Sequence, residues 1–427
     1  VEQVYEGPGH RTPIHRQTRF ERIEANPPAF EARLAAARAS EAVMMRETPE
    51  GFRYLRRVKA EAGPPAATSP AAGTSSEARP LPPDALASPA MTRILAGSAS
   101  RVWSVAAGVL FDPNIDHPLP FAGLSYLDFD VLGTGAQMNA FLAGPFAQMA
   151  LSVPSLGRGL QLQAWGFASL ARYNDRSFRG GVERYDENLS QRPARASVAV
   201  LRRLGARARV RAAYDLDAVR LDRNDTTAAD FVVPASPVAH GARLGLEWER
   251  GPWSAAAWGA AAWRQRWRAW GHPGDFSPDA RAYERAGLTL TRAFVPARHA
   301  VARVEASALA GRHLDRFSRF GFDAFDNRLR GYPSAGLRFD RGVVLRTAGT
   351  WTVASGLRLD AFLDAAAVRD PTMGPGARGH VGTGAAVEAA LPGRVLLSVD
   401  WGFGFEARDR QGRRGTHVVR VTAYKVL

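Results

Sequence analysis

Residues 206–217 read ARARVRAAYDLD, and this stretch decides the fold. Alternate positions are apolar, and most of the positions between them carry a charge. The apolar set is Ala206, Ala208, Val210, Ala212, Tyr214 and Leu216, and the charged set is Arg207, Arg209, Arg211, Asp215 and Asp217. Because successive side chains of a β-strand point to opposite faces, this pattern predicts a strand with one apolar and one charged face.

The same alternation recurs from about Arg101 to the end of the chain. One example sets Leu244, Leu246 and Trp248 against Arg243, Glu247 and Glu249; another sets Val395, Leu397, Val399, Trp401, Phe403 and Phe405 against Ser398, Asp400 and Glu406. In a soluble sandwich the apolar face would cover a second sheet, whereas in a membrane barrel it would face lipid. Alternation alone is compatible with both architectures.

The lengths of the connections separate the two. We place strands near residues 102–111, 119–129, 135–143, 146–153, 160–169, 194–203, 206–219, 240–249, 253–263, 284–294, 299–310, 340–352, 357–368, 381–391, 394–406 and 416–427. Short connections are 130–134, 154–159, 204–205, 250–252, 295–298, 353–356 and 392–393, and long ones are 170–193, 220–239, 264–283, 311–339 and 369–380. The two kinds alternate, except that the tight turn Gly144-Pro145 falls among the long ones. Short turns on one rim and long loops on the other are typical of outer-membrane barrels, so we predict an all-β antiparallel barrel of about 16 strands.

Composition excludes several classes of protein. The chain of 427 residues has no Cys, which removes disulfides, thiolate zinc sites and cysteine nucleophiles. The longest weakly polar run, Ser254 to Trp263, is far shorter than the roughly 20 residues of a membrane helix. A net charge of +15 could attract nucleic acid, but Arg207, Arg209 and Arg211 lie on strands and would line a lumen. We therefore expect no nucleic-acid partner.

We also expect no enzyme activity, cofactor or metal. The strands carry no Ser-His-Asp arrangement, phosphate-binding loop or paired catalytic acids. His10 and His15 lack a nearby acid or third ligand, so they are read as surface residues. Aromatic residues near strand ends suit the belts of a membrane barrel: Trp103, Tyr126, Trp165, Trp253, Trp263, Trp267, Trp270 and Trp401.

The first 99 residues differ from the rest. We divide the chain into an N-terminal segment, 1–62, a linker rich in Pro, Ala and Ser, 63–99, and the barrel, 100–427. Residues 29–45 predict an amphipathic helix with Phe30, Leu34, Ala37 and Glu41 on one face. The stretch from Phe52 to Val58 predicts a short second element of uncertain type. The chain begins at Val1 with neither Met nor an export signal, so we expect a processed or truncated product.

Two motifs carry a resemblance to a known family. Leu329-Arg330-Gly331-Tyr332 lies in a long polar connection, and Phe362-Leu363-Asp364 lies within a later strand. Together they resemble the BamA/TamA outer-membrane assembly-factor family, the bacterial surface-antigen barrels. In that family the arginine of an Arg-Gly-Tyr or Arg-Gly-Phe loop meets an acid on an inward-facing strand position. The resemblance implies that Arg330 pairs with Asp364 and holds the 311–339 loop inside the lumen. Without the resemblance, Arg330 could be an ordinary solvated arginine, and Asp364 could be one of many lumen acids.

Further positions are similar to the family, and others depart from it. Val131 to Gly135 resembles the turn into the third strand, and Gly402-Phe403-Gly404 resembles the glycine-rich pattern of the penultimate strand. Leu427 stands where an aromatic residue is usual, and Ala366 where glycine is usual. The sequence of residues 1–62 does not match the pattern of the periplasmic POTRA modules of the family.

The resemblance implies a function. The barrel is expected to insert or translocate proteins, or lipids, through a lateral seam between the first and last strands, in the outer membrane of a Gram-negative bacterium. The expected seam residues are Val105, Ala107, Val109, Val419, Val421 and Ala423, with Val105 opposite Val421 or Ala423. Expected partners are outer-membrane lipid and lipopolysaccharide, unfolded outer-membrane clients, and a periplasmic or lipoprotein subunit that replaces the missing periplasmic modules. The N-terminal segment is expected in the periplasm.

Two alternatives stay open at this point. One is an anion-favouring channel, suggested by the lumen arginines. The other is the membrane anchor of a larger polypeptide that has an enzymatic or binding domain upstream of Val1.

Overall fold

A computed structural model describes residues 2–7, 10–17, 45–48 and 51–54, and residues 101–426 except 113–116, 133, 158, 180–181, 278–280, 298, 323–328, 333–336, 355 and 409–412. Sixteen long strands follow one another in the second range. They are β1 Arg101–Phe111, β2 Leu119–Val131, β3 Ala136–Ala143, β4 Phe146–Val153, β5 Leu160–Ser169, β6 Leu189–Arg203, β7 Ala208–Arg223, β8 Val238–Arg250, β9 Trp253–Gln265, β10 Ala282–Ala297, β11 Ala300–Arg312, β12 Arg341–Ala354, β13 Leu357–Arg369, β14 Arg378–Leu391, β15 Val395–Arg408 and β16 Arg414–Val426.

Each strand pairs antiparallel with its neighbours in sequence, and β16 pairs with β1, so the sheet closes into a barrel. A short strand, Tyr173–Asp175, pairs with β6 beyond the end of β5. The predicted all-β barrel of 16 strands is therefore confirmed, as is the alternation of short and long connections. Among the described residues there is no α-helix, only the 3₁₀ turns Tyr185–Glu187 and Pro371–Met373. No helix in this part of the chain could span a membrane.

Several strands run further toward the long-loop rim than predicted. β6 begins at Leu189 instead of 194, and β7 ends at Arg223 instead of 219. The added residues pair in continuous register, as Leu189 with Arg223 shows. Beyond the lipid zone neither face needs to be apolar, so the alternation stops while the backbone pairing continues.

The two faces of the wall differ as the sequence pattern requires. On the outward face, Leu244 is 63% exposed and Leu363 is 56% exposed. On the inward face, Arg209 and Glu247 are buried. The apolar side chains thus cover the outside and the charged ones line the inside, as in membrane barrels.

The N-terminal region contains two strand pairs, Glu2–Gly7 with His10–Gln17 and Met45–Thr48 with Gly51–Tyr54. The predicted helix, 29–45, lies outside the described residues except for Met45, which begins a strand. The predicted linker, 63–99, also lies outside the described residues. His10 and His15 lie on the second strand. Backbone contacts divide the chain into two units, Val1–Pro70 and Ala71–Leu427.

Candidate functional site

The loop between β11 and β12, residues 313–340, brings Arg330 onto the inner face of β13. The Nε of Arg330 donates to Asp364 Oδ2 at 2.7 Å, and its Nη2 donates to Asp364 Oδ1 at 2.5 Å. The backbone N–H of Arg330 also donates to Asp364 Oδ2, at 3.1 Å. Asp364 is fully buried. The contact is a bidentate, charge-assisted pair, the type that fixes both position and orientation.

Neighbouring groups complete the coordination of this carboxylate. The backbone N–H of Thr347 on β12 donates to Asp364 Oδ1 at 3.2 Å, and Arg330 Nη2 donates in return to the Thr347 carbonyl at 2.7 Å. Arg346 lies 3.9 Å from the same carboxylate. The guanidinium of Arg330 stacks over the ring of Phe362, 4.1 Å from its centroid. One buried acid therefore ties the loop to two adjacent strands, β12 and β13.

Glycines on β14 and β15 let the loop backbone approach the wall. A Cβ on Gly402 would lie 2.8 Å from the Cα of Gly331, and one on Gly382 would lie 2.1 Å from the Arg330 carbonyl oxygen. Gly331 itself has φ +83° and would clash with the Phe403 backbone if it carried a side chain. Any larger residue at these positions would push the loop away from the wall.

Tyr332 extends the attachment towards the last strand. Its hydroxyl oxygen accepts from the backbone N–H of Glu406 at 3.0 Å, and its ring packs edge-on against Phe322 and His380. Burial raises the pKa of Tyr332 to about 12, so the phenol stays neutral. The Gly331 carbonyl faces the hydroxyl of Thr416 on β16 at 3.5 Å. The loop therefore contacts five consecutive strands, β12 to β16.

The long loops on the outer rim are joined by buried ion pairs. Asp175, which is 2% exposed, accepts from Arg316 Nε at 2.8 Å and from Arg338 Nη2 at 2.6 Å. Arg264 at the end of β9 holds Asp315 in a bidentate pair at 2.6 and 2.8 Å. Asp175 follows β5, whereas its partners lie on the loop after β11. We call these contacts of Asp175 the outer clasp.

Burial alone would raise the pKa of Asp175, but the two guanidinium groups and their hydrogen bonds outweigh it and hold the pKa below its ordinary value of 3.8. The carboxylate is therefore charged throughout the physiological pH range. No sequence pattern indicated these residues, because loop residues have no periodicity that would place partners 141 positions apart.

Charges on the inward face are paired across neighbouring strands. Arg243 on β8 meets Asp215 on β7 at 2.6 Å, and Arg209 on β7 meets Glu247 on β8. Similar pairs continue around the wall: Arg346 with Glu305, Arg358 with Glu388, and Arg420 with Asp400. Arg209 and Arg211, which the alternation predicts to line the lumen, thus lie beside carboxylates instead of forming an uncompensated positive field. Arg207 precedes β7 and is exposed, so the prediction was wrong for this residue.

The seam between β1 and β16 is paired over eight positions, compared with ten between β1 and β2 and eleven between β15 and β16. Its register differs from the expected one. Val105 lies opposite Lys425, not opposite Val421 or Ala423. The observed pairs are Ala107 with Ala423, Val109 with Val421 and Phe111 with Val419. The register across a closure is set by the shear of the whole barrel, which local alternation does not reveal.

Small side chains lie in the middle of the β1 side of this seam. Ala106, Ala107 and Gly108 occupy three consecutive positions of β1. Among the residues that the structure describes, no ion pair joins β1 to β16. Since cross-strand side-chain pairs are the unit of sheet stabilisation, this junction has fewer such contributions than the charge-paired junctions.

Comparison with family models gives no match, and comparison with curated proteins gives none either. Solved structures do match. CdiB from Escherichia coli is 12% identical with a TM-score of 0.52, over 76% of this chain and 63% of that chain. CdiB from Acinetobacter baumannii is also 12% identical with a TM-score of 0.50, over 77% of this chain and 60% of that one. This chain has the fold of a CdiB-type barrel.

A structure of BamA from Haemophilus ducreyi lacking POTRA domains 1–3 also matches, at 11% identity and a TM-score of 0.48, over 76% of this chain and 70% of that chain. This chain spans less than two thirds of the length of either CdiB chain. The likeness to the two CdiB chains concerns the fold, and at that level the resemblance is confirmed.

Proposed function

We propose that this chain resides in the bacterial outer membrane and inserts or translocates proteins, or lipids, through the seam between β1 and β16. The observation that carries the proposal is the contrast at the last strand. The loop that holds Arg330 braces β12 to β16 from inside, whereas β16 meets β1 through eight backbone pairs and no ion pair among the described residues. Separation of the seam therefore breaks no ion pair among the described residues, whereas separation of the charge-paired junctions would break several.

An opened seam would offer two strand edges with unpaired backbone groups. Such edges readily pair with another chain, which is a hazard for most proteins and a means of capture for one that handles unfolded strands. Because the loop braces β16, the edge of β1 is the one that moves. The clients would be unfolded outer-membrane proteins, and a periplasmic or lipoprotein subunit would deliver them to the N-terminal segment, which we place in the periplasm.

The lumen argues against a steady anion channel. Its arginines lie beside acids, as Arg243 does beside Asp215, and the outer clasp joins loops that would otherwise leave the outer mouth open. A channel selective for anions needs a net positive field along an open path. Planar-bilayer recordings should therefore show little steady conductance from the parent protein.

A disulfide across the seam tests the proposal. The natural chain has no Cys, so the double variant A107C/A423C contains a single possible disulfide, between directly opposed outward-facing positions. Antiparallel neighbours lie within the Cα separation that a disulfide requires. Oxidation should abolish the insertion of newly made barrel proteins into outer membranes, and reduction should restore it.

The matched control is A286C/A310C, another outward-facing alanine pair, between β10 and β11. This cross-link should leave insertion unchanged. Full activity of the locked seam would refute the proposal, and equal loss in the control would show that any cross-link in the wall is harmful.

A further inference from the structure

A groove lies on the outward face of β1 to β5. Its volume is about 590 Å³. It follows two rows of side chains that run across the strands at neighbouring levels. One row contains Tyr126, Ala140, Met149 and Gly166, and the other contains Leu124, Leu142, Ala147 and Ala168. The groove therefore crosses the wall on the side that faces lipid.

Small residues form the floor of the groove, and large apolar residues form its sides. Ala140, Ala147, Gly166 and Ala168 leave a depression, while Leu124, Leu142 and Met149 stand beside it, each about half exposed. Four steps between β1 and β5 give a length of about 19 Å at about 4.8 Å per step. An apolar depression of this length offers one flexible hydrocarbon chain many small dispersion contacts.

A polar group lies at the short-turn end of the same surface. Arg101 on β1 donates from Nε to Asp128 Oδ2 at 3.2 Å, and the hydroxyl of Tyr126 donates to the same oxygen at 2.8 Å. The side chain of Asp128 is almost inaccessible, whereas that of Arg101 is 59% exposed. Trp103 stacks on Tyr126 with a centroid distance of 4.5 Å. A cation and two aromatic rings at the end of an apolar surface mark the level of lipid headgroups.

We propose that this groove is a binding site for one glycerophospholipid of the inner leaflet. One acyl chain lies on the floor of small residues, and the phosphate meets the terminal nitrogens of Arg101. The apolar lining selects the hydrocarbon, and the exposed guanidinium at one end supplies the charge that complements a phosphate. A peptide would leave backbone groups unpaired on this apolar floor, which disfavours a protein segment as the occupant.

Filling the floor tests the site without disturbing the wall. A Cβ at Gly166 would meet only the Arg195 carbonyl oxygen, at 3.8 Å, so the strand accepts a side chain there. In Gly166→Leu the new side chain occupies the groove. We would titrate the full chain with phosphatidylglycerol and count retained lipids by native mass spectrometry. We expect retention to fall about fivefold, because many small dispersion contacts are lost together.

Gly259→Leu is the matched control, because this glycine also lies on the lipid-facing side, on β9, with nothing within 4 Å of an added Cβ. It should retain lipid like the parent. Arg101→Gln should retain less phosphatidylglycerol and less phosphatidylethanolamine than the parent, because both lipids carry the phosphate that Arg101 would contact. Unchanged retention in Gly166→Leu, or an equal loss in Gly259→Leu, would overturn the site. Unchanged retention of both lipids in Arg101→Gln would overturn the assignment of the phosphate. A dimer that dissociates in Gly166→Leu would identify a second copy of the chain as the occupant instead.

Discussion

The two sides of the barrel are built differently. From β6 to β14 the inward face carries paired charges, such as Arg243 with Asp215 and Arg346 with Glu305, and we call this the charged wall. From β1 to β5 the inward face carries buried aromatic residues, such as Phe121 and Phe146, and we call this the apolar wall. The strands differ as well, since β3 and β4 have 8 residues each, whereas β6 has 15 and β7 has 16.

The difference shows how one barrel can be fixed on one side and adaptable on the other. Ion pairs are directional, so a slip of one residue would put each charge on the wrong face. Apolar packing is non-directional and tolerates small displacements. The loop between β11 and β12 attaches at the end of the charged wall. The seam lies between β16 and β1, the first strand of the apolar wall. The strand that has to move therefore belongs to the more tolerant side.

The largest expected effect comes from breaking the attachment of the loop. Asp364→Ala leaves the guanidinium groups of Arg330 and Arg346 beside a buried position that no longer carries a negative charge. We expect a loss of about 3–5 kcal/mol, as for other buried pairs that lose one partner. Urea unfolding in lipid vesicles, followed by tryptophan fluorescence, measures it.

Asp360→Ala on the same strand is the control for that variant. Asp360 also faces inward and contacts Arg358, but its side chain is 19% exposed. Its loss removes hydrogen bonds from the Thr350 hydroxyl and from Arg358 and should cost about 1–2 kcal/mol, less than the loss of the fully buried Asp364. Equal losses in the two variants would show that Asp364 has no special part in holding the loop.

Opening the outer clasp should have a smaller, local effect. Asp175→Asn removes the charge that Arg316 and Arg338 share. A loss of about 2 kcal/mol from a local opening equilibrium corresponds to roughly thirtyfold faster trypsin cleavage at these arginines. Asp225→Asn, at an exposed loop acid, should leave the cleavage rate unchanged. If trypsin cleaved Asp175→Asn no faster than the parent, other contacts would have to hold the loops of the outer rim together.

The pH dependence of the same clasp follows from the direction of the pKa shift. Because the pKa of Asp175 is held below its ordinary value of 3.8, its stabilisation is fully present above that value. The contribution is lost only as the pH falls through the lower, folded pKa. Cleavage of the parent by a protease active in mild acid should therefore not accelerate between pH 7 and 5. Acceleration in that range would point to another titrating group.

The smallest effect tests the fit of the loop without changing any charge. Gly402→Ala places a Cβ 2.8 Å from the Cα of Gly331, so backbone must shift, at a cost of about 1–3 kcal/mol. Gly259→Ala, on the far side of the barrel in open space, should be nearly neutral. Thermal unfolding of the two variants in the same detergent distinguishes the outcomes. Similar midpoints would mean that the loop does not press on the glycines.

The sequence predicted those parts of the fold that depend on local sequence pattern, such as the strands, and missed contacts between residues that are far apart in the chain. Alternation located all 16 strands, because a wall between lipid and lumen forces a period of two on every strand. The motifs around Arg330 and Asp364 named two residues that the structure places in contact. The outer clasp was missed, because Asp175 and Arg316 are brought together by loops without a period. The face of Val105 could be read locally, but its partner Lys425 could not.

Amide hydrogen exchange of the full chain in lipid nanodiscs tests the central claim most directly, since the claim is that the seam opens while the braced wall stays closed. The comparison is between β16 residues 419–426, paired with β1, and β12 residues 341–352, paired with β13. We predict that the seam amides exchange at least about tenfold faster, because they belong to a junction of lower local stability. Equal protection of the two segments would contradict a seam that opens.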